Sequence, residues 1–102
     1  MRPPTKWTRV VNRKRYSVET ATLLAGDDYW DGHNHERSGR NTWLYRTPSG
    51  NYFTVTLTQW QGELNHLSPC SLEYALELFE GPLTEHAVTY EEAFPGVTIE
   101  DA

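Results

Sequence analysis

The clearest hydrophobic pattern lies near the centre of the chain, where two alternating segments flank a turn. Residues 42–46 and 52–60 lie on either side of Thr47-Pro48-Ser49-Gly50-Asn51, which has proline at the first turn position and glycine where a positive φ is needed. The pattern predicts a β-hairpin. Its period of two predicts a core face that consists of Leu44, Phe53, Val55 and Leu57. The outer face would then carry Trp43, Tyr45, Tyr52, Thr54, Thr56, Thr58 and Trp60.

A second pattern, with helical spacing, follows the hairpin. Ser71 is a good N-cap, and the sequence predicts a helix over 72–80 that ends at Gly81-Pro82. The buried stripe at the i, i+3, i+4, i+7 spacing would be Leu72, Ala75, Leu76 and Phe79. Further on, Thr89-Tyr90-Glu91-Glu92 matches a capping box and predicts a helical turn that runs to Phe94.

The first part of the chain gives weaker patterns. Residues 6–11 read as a short strand. Ser17 can cap a helix over 18–25 that stops at Gly26, although β-branched residues in this segment also favour a strand. Residues 26–41 are polar, contain three glycines and predict a long loop.

Together these elements predict one α+β domain, with a small antiparallel sheet built on the central β-hairpin and packed against one or two short helices. Within the 102 residues we expect a flexible N-terminal arm over 1–5, the domain over 6–96 and a tail over 97–102. There is one cysteine, no secretory signal pattern and no apolar run near the roughly 18 residues that span a bilayer. We therefore expect a protein of the bacterial host cytoplasm without a membrane partner. The oligomeric state is left open.

Charge divides the chain into two blocks. All nine lysines and arginines precede Thr47, together with five of the fourteen carboxylates, so the first block is about +4. The remaining 56 residues carry nine carboxylates and no lysine or arginine. Carboxylates without cationic neighbours repel one another and reduce the stability of the compact state. This distribution points to a partner and specifies no reaction.

The acidic block suggests the main binding hypothesis. Glu73, Glu77 and Glu80 are three and four residues apart, so they would be neighbours on one helix face and destabilise it slightly. Such a row can imitate nucleic-acid phosphates or dock on a basic protein surface. The acidic side chains expected to contribute to the same field are Glu63, Glu85, Glu91 and Glu92. The alternative is a solvated acidic face that only keeps the protein soluble.

The basic block suggests direct nucleic-acid binding as a secondary hypothesis. Its phosphate contacts would come from Arg9, Arg13, Lys14 and Arg15. Trp43 and Tyr45 on the outer hairpin face would stack on bases. The alternatives are that the cations complement acidic parts of the same fold, and that the N-terminal strand or the Tyr29-Trp30 segment covers the aromatic side chains.

Metal or catalytic chemistry has little support in the sequence. His33 and His35, with Asp31 or Glu36, are the densest set of metal-ligand types, but no matching pair follows them. Cys70 precedes a helix cap without a fixed partner base. We therefore assign no metal, cofactor or catalytic residue and expect a protein that is not an enzyme.

Three segments carry a family resemblance: Lys14-Arg15-Tyr16-Ser17-Val18-Glu19-Thr20-Ala21, Leu44-Tyr45-Arg46-Thr47-Pro48-Ser49-Gly50-Asn51-Tyr52-Phe53 and Ser71-Leu72-Glu73-Tyr74-Ala75. The chain resembles small accessory proteins of phages and bacterial mobile elements, among which anti-CRISPR proteins occur. It departs from that pattern at Ser17, where aspartate is usual, and at Tyr74, where glutamate is usual. The resemblance implies a non-enzymatic inhibitor that blocks a positively charged nucleic-acid-binding surface of a CRISPR effector complex.

Overall fold

The computed structural model describes residues 3–27, 40–58 and 64–102, and it has an α+β fold, as the sequence predicts. Its elements in chain order are β1 (Thr8–Val11), β2 (Lys14–Ser17), β3 (Thr22–Gly26), β4 (Arg40–Arg46), β5 (Tyr52–Thr58), β6 (His66–Cys70), α1 (Leu72–Glu80), β7 (Glu85–His86) and α2 (Tyr90–Ala93). Strands β6-β5-β4-β3-β7 form a five-stranded antiparallel sheet in that order, and β1 and β2 form a separate hairpin.

The elements defined by local sequence signals are confirmed. Strands β4 and β5 form the predicted β-hairpin, with Gly50 at a φ of 89° in its turn. Helix α1 has the predicted limits, and the Ser71 hydroxyl accepts a hydrogen bond from the backbone N–H of Tyr74 at 3.1 Å. Helix α2 begins at the predicted capping box. Each of these signals depends on contacts within a few residues of the chain.

The helix predicted over 18–25 is wrong. Residues Thr22–Gly26 form β3, which pairs with both β4 and β7. The strand places Gly26 against Trp43, so closely that a Cβ atom on Gly26 would lie 2.7 Å from Trp43 Cδ1. Pairing with two neighbouring strands outweighs the weak local helix signal. Strands β2, β6 and β7 were not predicted, and Gly26, Arg40 and Asn41 of the predicted 26–41 loop belong to strands.

The predicted division of the hairpin faces is confirmed for β5, where Phe53, Val55 and Leu57 share a buried face, and is wrong for β4. Tyr45 pairs with Phe53 and Trp43 pairs with Val55, so these four side chains share one face. Leu44 lies on the opposite face, because successive side chains alternate along a strand. The error arose because both faces of this sheet are buried, so an apolar residue on β4 need not share a face with apolar residues on β5.

Two hydrophobic cores lie on opposite sides of the five-stranded sheet. One core packs the sheet against α1 and α2 and consists of Leu24, Ala25, Leu44, Ala75, Leu78, Phe79, Leu83, Ala93 and Phe94. The other packs the β1-β2 hairpin onto the sheet and consists of Tyr16, Val18, Trp43, Tyr45, Phe53, Val55, Leu57 and Leu67. The buried stripe of α1 differs from the prediction at two positions: Leu78 is buried, and Leu72 is exposed. The sheet therefore separates α1 and α2, which we call the helical layer, from the β1-β2 hairpin, which we call the basic hairpin.

Candidate partner-binding surface

The fold places the basic hairpin and the acidic helices on opposite sides of the sheet. Arg9, Arg13, Lys14 and Arg15 lie on the basic hairpin and are exposed. Tyr16 anchors this hairpin by packing edge-on against Phe53, with ring centroids 5.7 Å apart. Glu73, Glu77, Glu80, Glu91 and Glu92 lie in the helical layer and are exposed as well.

Two arginines, Arg9 and Arg46, donate hydrogen bonds to backbone carbonyl groups. Arg9 Nη1 donates to the carbonyl oxygen of Leu67 on β6. Arg46 Nη1 donates to the carbonyl oxygens of Glu92 and Ala93, the latter at 2.8 Å. Arg46 thus lies at the C-terminal end of α2, where a cation complements the helix dipole. Neither contact joins the basic hairpin to a carboxylate.

The turn of the basic hairpin has an unusual backbone. Asn12 and Arg13 have φ values of 52° and 67°, the pair of positive angles that a two-residue type I′ turn requires. Asparagine tolerates this region, but glycine is the favoured second residue, because a Cβ atom is strained there. Arg13 therefore occupies a position where glycine would fit the backbone better.

On α1, the carboxylates at the predicted spacing are neighbours on an exposed face. Glu80 is the one with a defined partner, since the Tyr90 hydroxyl donates to Glu80 Oε2 at 2.6 Å. This hydrogen bond holds the pKa of Tyr90 above its usual value, and burial and the Glu80 charge add to the effect. The contact ties the C-terminal end of α1 to the start of α2.

Glu92 contributes to helix structure as well as to charge. Its Oε1 accepts hydrogen bonds from the Thr89 backbone N–H at 3.1 Å and from the Thr89 hydroxyl at 3.0 Å. The Thr89 hydroxyl in turn accepts from the Glu92 backbone N–H at 3.2 Å, which completes the capping box. These hydrogen bonds lower the pKa of Glu92, because they stabilise the ionised carboxylate. Glu91 is exposed beside it.

Glu85, another predicted acidic residue, does not join this surface. Glu85 pairs with Gly26 on β3, whereas the next residue, His86, stacks on Phe79 of α1 with ring centroids 3.8 Å apart. Since side chains alternate along a strand, Glu85 lies on the side of the sheet away from the helical layer. Glu63 lies outside the described residues. Within the part of the chain that the structure describes, the predicted acidic residues that share this surface are Glu73, Glu77, Glu80, Glu91 and Glu92.

Trp43 and Tyr45 are not available as stacking platforms. Trp43 is 1 % exposed and Tyr45 is 6 % exposed. Tyr16 and Val18, just before and after the end of β2, belong to the core that covers them. The base-stacking prediction for these two residues is wrong, and the alternative in which the N-terminal part of the chain covers them is the correct one. The Tyr29-Trp30 segment of that alternative lies outside the described residues, as do His33 and His35.

A cleft beside α1 was missed in the sequence. It has a volume of about 510 Å³, and its floor is the helix-side face of β4, β5 and β6. The hydroxyl side chains that line it are Thr42, Thr54, Thr56, Ser68, Ser71 and Tyr74. The signal was present as threonines at a period of two on β5, but they were assigned to the outer face of the hairpin, away from the core.

Cys70 also lines this cleft, and its thiol is partly buried. Burial raises the pKa of Cys70 from 9.0 to about 11, because the thiolate loses hydration. The thiol is therefore almost entirely protonated at neutral pH and is a poor nucleophile.

This shift predicts slow alkylation of the native protein. At pH 8.5, iodoacetamide should modify Cys70 on the order of 100-fold more slowly in the folded protein than in urea, since the pKa rises from 9.0 to about 11 on folding. Mass spectrometry of timed samples measures both rates. Equal alkylation rates in the folded protein and in urea would contradict this pKa shift.

The same shift predicts that folding stability decreases as the pH rises from 9 towards 11, because the folded state holds the Cys70 proton more tightly than the unfolded state.

No protein-family model matches the chain, and comparisons with curated proteins and with solved structures find no match. Among residues 3–27, 40–58 and 64–102, no group of three His, Cys, Asp or Glu side chains could hold a metal ion. In the same part of the chain, neither α1 nor α2 has the length and apolar character needed to cross a membrane.

Proposed function

We propose that the protein is a non-enzymatic binding protein whose acidic helical layer occupies a positively charged, nucleic-acid-binding surface of another protein. The observation that carries the proposal is the separation of charge by the sheet, with five exposed glutamates in the helical layer and the cationic hairpin on the far side. A partner that approaches the helices meets these carboxylates, whereas the cations of the basic hairpin lie beyond the sheet and Arg46 is bound to the end of α2.

The arrangement on α1 supports binding over a purely structural role. Glu73, Glu77 and Glu80 repel one another at helical spacing, and Glu80 lies at the end of α1 where the helix dipole disfavours an anion. Leu72 and Tyr74 are exposed on the same helix. Exposed apolar side chains among carboxylates are typical of a protein interface, in which the apolar groups are buried and the charges select the partner.

The class of partner comes from the family resemblance. It implies a CRISPR effector complex, whose nucleic-acid channel is lined with cations. The test is to measure binding of such complexes to the native protein and to a variant in which the three α1 glutamates are lysines. Loss of binding by a folded variant supports the proposal, and retained binding overturns it.

The strained turn of the basic hairpin favours nucleic-acid binding as a second candidate function. Arg13 retains a side chain in a conformation that favours glycine. Strained residues often persist where the side chain is used. Together with Arg9, Lys14 and Arg15, it could contact three or four phosphates, which would give weak and salt-sensitive binding.

This second candidate function predicts that one substitution raises thermal stability and weakens nucleic-acid binding. Arg13→Gly should raise thermal stability by a few degrees, because it relieves strain of about 1 kcal/mol. It should also weaken binding to a labelled oligonucleotide in gel-shift titrations at about 50 mM salt. Arg13→Asn is the matched control, since it removes the charge and tolerates the backbone. If the native protein does not bind the oligonucleotide at this salt concentration, the second candidate is eliminated.

A further inference from the structure

The cleft beside α1 lies next to the surface proposed to bind the partner. Its floor carries Thr42 from β4, Thr54 and Thr56 from β5, and Ser68 from β6. Its wall is α1, through Tyr74 and Leu78. A volume of about 510 Å³ falls within the usual range of ligand pockets, so it can accept a long side chain together with part of its neighbours.

Two hydroxyl protons on the floor of the cleft are used in hydrogen bonds within the protein. The Thr54 hydroxyl donates to the carbonyl oxygen of Ser68 at 3.5 Å. The hydroxyls of Thr42 and Thr56 lie 3.3 Å apart, so one donates to the other. A hydroxyl group has one proton and two lone pairs, so lone pairs remain after these protons are used. The floor of the cleft therefore offers an excess of hydrogen-bond acceptors.

The lining of the cleft contains one carboxylate and one imidazole, those of Asp27 and His66. Asp27 lies at one end, where its Oδ1 accepts the Thr42 backbone N–H at 2.7 Å. Glu73 and Glu77 are exposed on α1, one and three residues from Tyr74 in the chain. Among the described residues that line the cleft there is no lysine or arginine. An anionic ligand would be repelled here, and a cation that only donates hydrogen bonds would be favoured.

Tyr74 adds a flat surface. It is 50 % exposed and lines the cleft beside the hydroxyl-rich floor. A guanidinium group can stack on an aromatic ring while its five N–H groups donate in its plane. An ammonium group has three donors and no planar face. The combination of acceptors and an aromatic ring therefore favours arginine over lysine.

We propose that this cleft receives an arginine side chain of the basic partner. The inference rests on the proposed function, since it names the partner group bound beside the acidic helical layer. The guanidinium group donates to the oxygens of Thr54 and Thr56, and the side chain packs against Tyr74. Arginine is enriched among the few residues that dominate interface affinity, so this contact would act as the anchor of the interface.

A test without the partner uses N-acetyl-arginine amide as the probe. In amide NMR spectra, millimolar probe should shift the signals of the cleft residues Thr54, Thr56 and Ser68. N-acetyl-citrulline amide, which has nearly the same shape without the charge, should leave them unchanged, and the lysine analogue should bind at least threefold more weakly. Thr54→Val with Thr56→Val should weaken arginine binding at least fivefold, and Thr98→Val in the exposed tail should not. Equal binding of citrulline or lysine, or shifts confined to residues outside the cleft, would overturn the inference.

A second measurement separates this inference from the proposed function. The Thr54→Val and Thr56→Val variant should bind the partner at least tenfold more weakly than the native protein, with an unchanged circular dichroism spectrum. If lysines at the three α1 glutamate positions abolish partner binding and the Thr54→Val and Thr56→Val variant binds normally, the proposed function is supported and the arginine site is overturned. If the arginine probe binds the cleft but the variant with lysines at the three α1 glutamate positions keeps its affinity for the partner, the arginine site is supported and the proposed function is overturned.

Discussion

Replacing Glu73, Glu77 and Glu80 with lysine should lower affinity for a basic partner by roughly 100-fold at 0.1 M salt, on the basis of about 1 kcal/mol for each reversed contact. The charge of the α1 face changes sign, so attraction to a cationic surface becomes repulsion. Binding of the native protein should also weaken as salt increases, since the charges are exposed and screened. Surface plasmon resonance across a salt series measures both effects.

The fold should tolerate this change. Lysine is a good helix former, and at position 80 a cation complements the C-terminal end of the α1 dipole. The main loss is the hydrogen bond that the Tyr90 hydroxyl donates to Glu80. Thermal unfolding by circular dichroism checks this directly.

The matched control carries the same change in net charge at other exposed positions. Lysines at Glu19, Glu100 and Asp101 change the charge by the same amount outside the helical layer. This variant should retain most of its affinity. If the two variants lose affinity equally, the partner responds to net charge alone, and the α1 face is not the binding surface.

Trp43→Ala should destabilise the protein by about 3–5 kcal/mol, which is a large share of the stability of a domain of this size. Trp43 is almost fully buried, and its ring lies against Gly26 on β3. Removing the ring leaves a cavity between the sheet and the basic hairpin. The expected decrease in melting temperature exceeds 10 °C, measured by calorimetry or circular dichroism.

The contrast with Tyr74 shows which aromatic side chain is available to a partner. Tyr74 is half exposed, so Tyr74→Ala should change stability by less than about 1 kcal/mol while it weakens partner binding.

Trp43→Phe should recover much of the stability lost in Trp43→Ala, because it refills most of the cavity. An unchanged melting temperature for Trp43→Ala would show that the ring is a surface group, as the sequence pattern suggested.

The elements that could be predicted have their determinants close together in the chain. Helix α1 was predicted with its correct limits, because Ser71 and Gly81-Pro82 mark its ends and its apolar spacing is regular. The turn between β4 and β5 needs only its proline and glycine. The α2 capping box is complete within Thr89–Glu92.

The segment 18–26 shows where local signals failed. A possible cap at Ser17 and a glycine at position 26 suggested a helix, but β3 forms there because β4 and β7 supply its backbone hydrogen bonds. Neither strand lies close to it in sequence. The same limit affected the hairpin faces, which depend on register and on two cores rather than on one apolar face.

The candidate site was predicted in part. The three α1 glutamates follow directly from helical spacing, and the structure exposes all of them. Glu85 was misplaced because its face depends on pairing with Gly26. The hydroxyl-lined cleft requires three strands and a helix to come together, so no single segment reveals it.

The sequence by itself determined the partition of charge along the chain, the ends of α1 and the turn of the central hairpin, because each depends on residue identity or on contacts within one turn of backbone. Only the tertiary structure decided that the basic hairpin and the acidic helices lie on opposite sides of a sheet, that Trp43 and Tyr45 are buried, and that an acceptor-rich cleft adjoins the acidic helix. These features depend on strand order, register and packing between segments distant in sequence. The free energy that stabilises these features comes from side-chain burial and strand pairing between segments, which no short stretch of the chain contains.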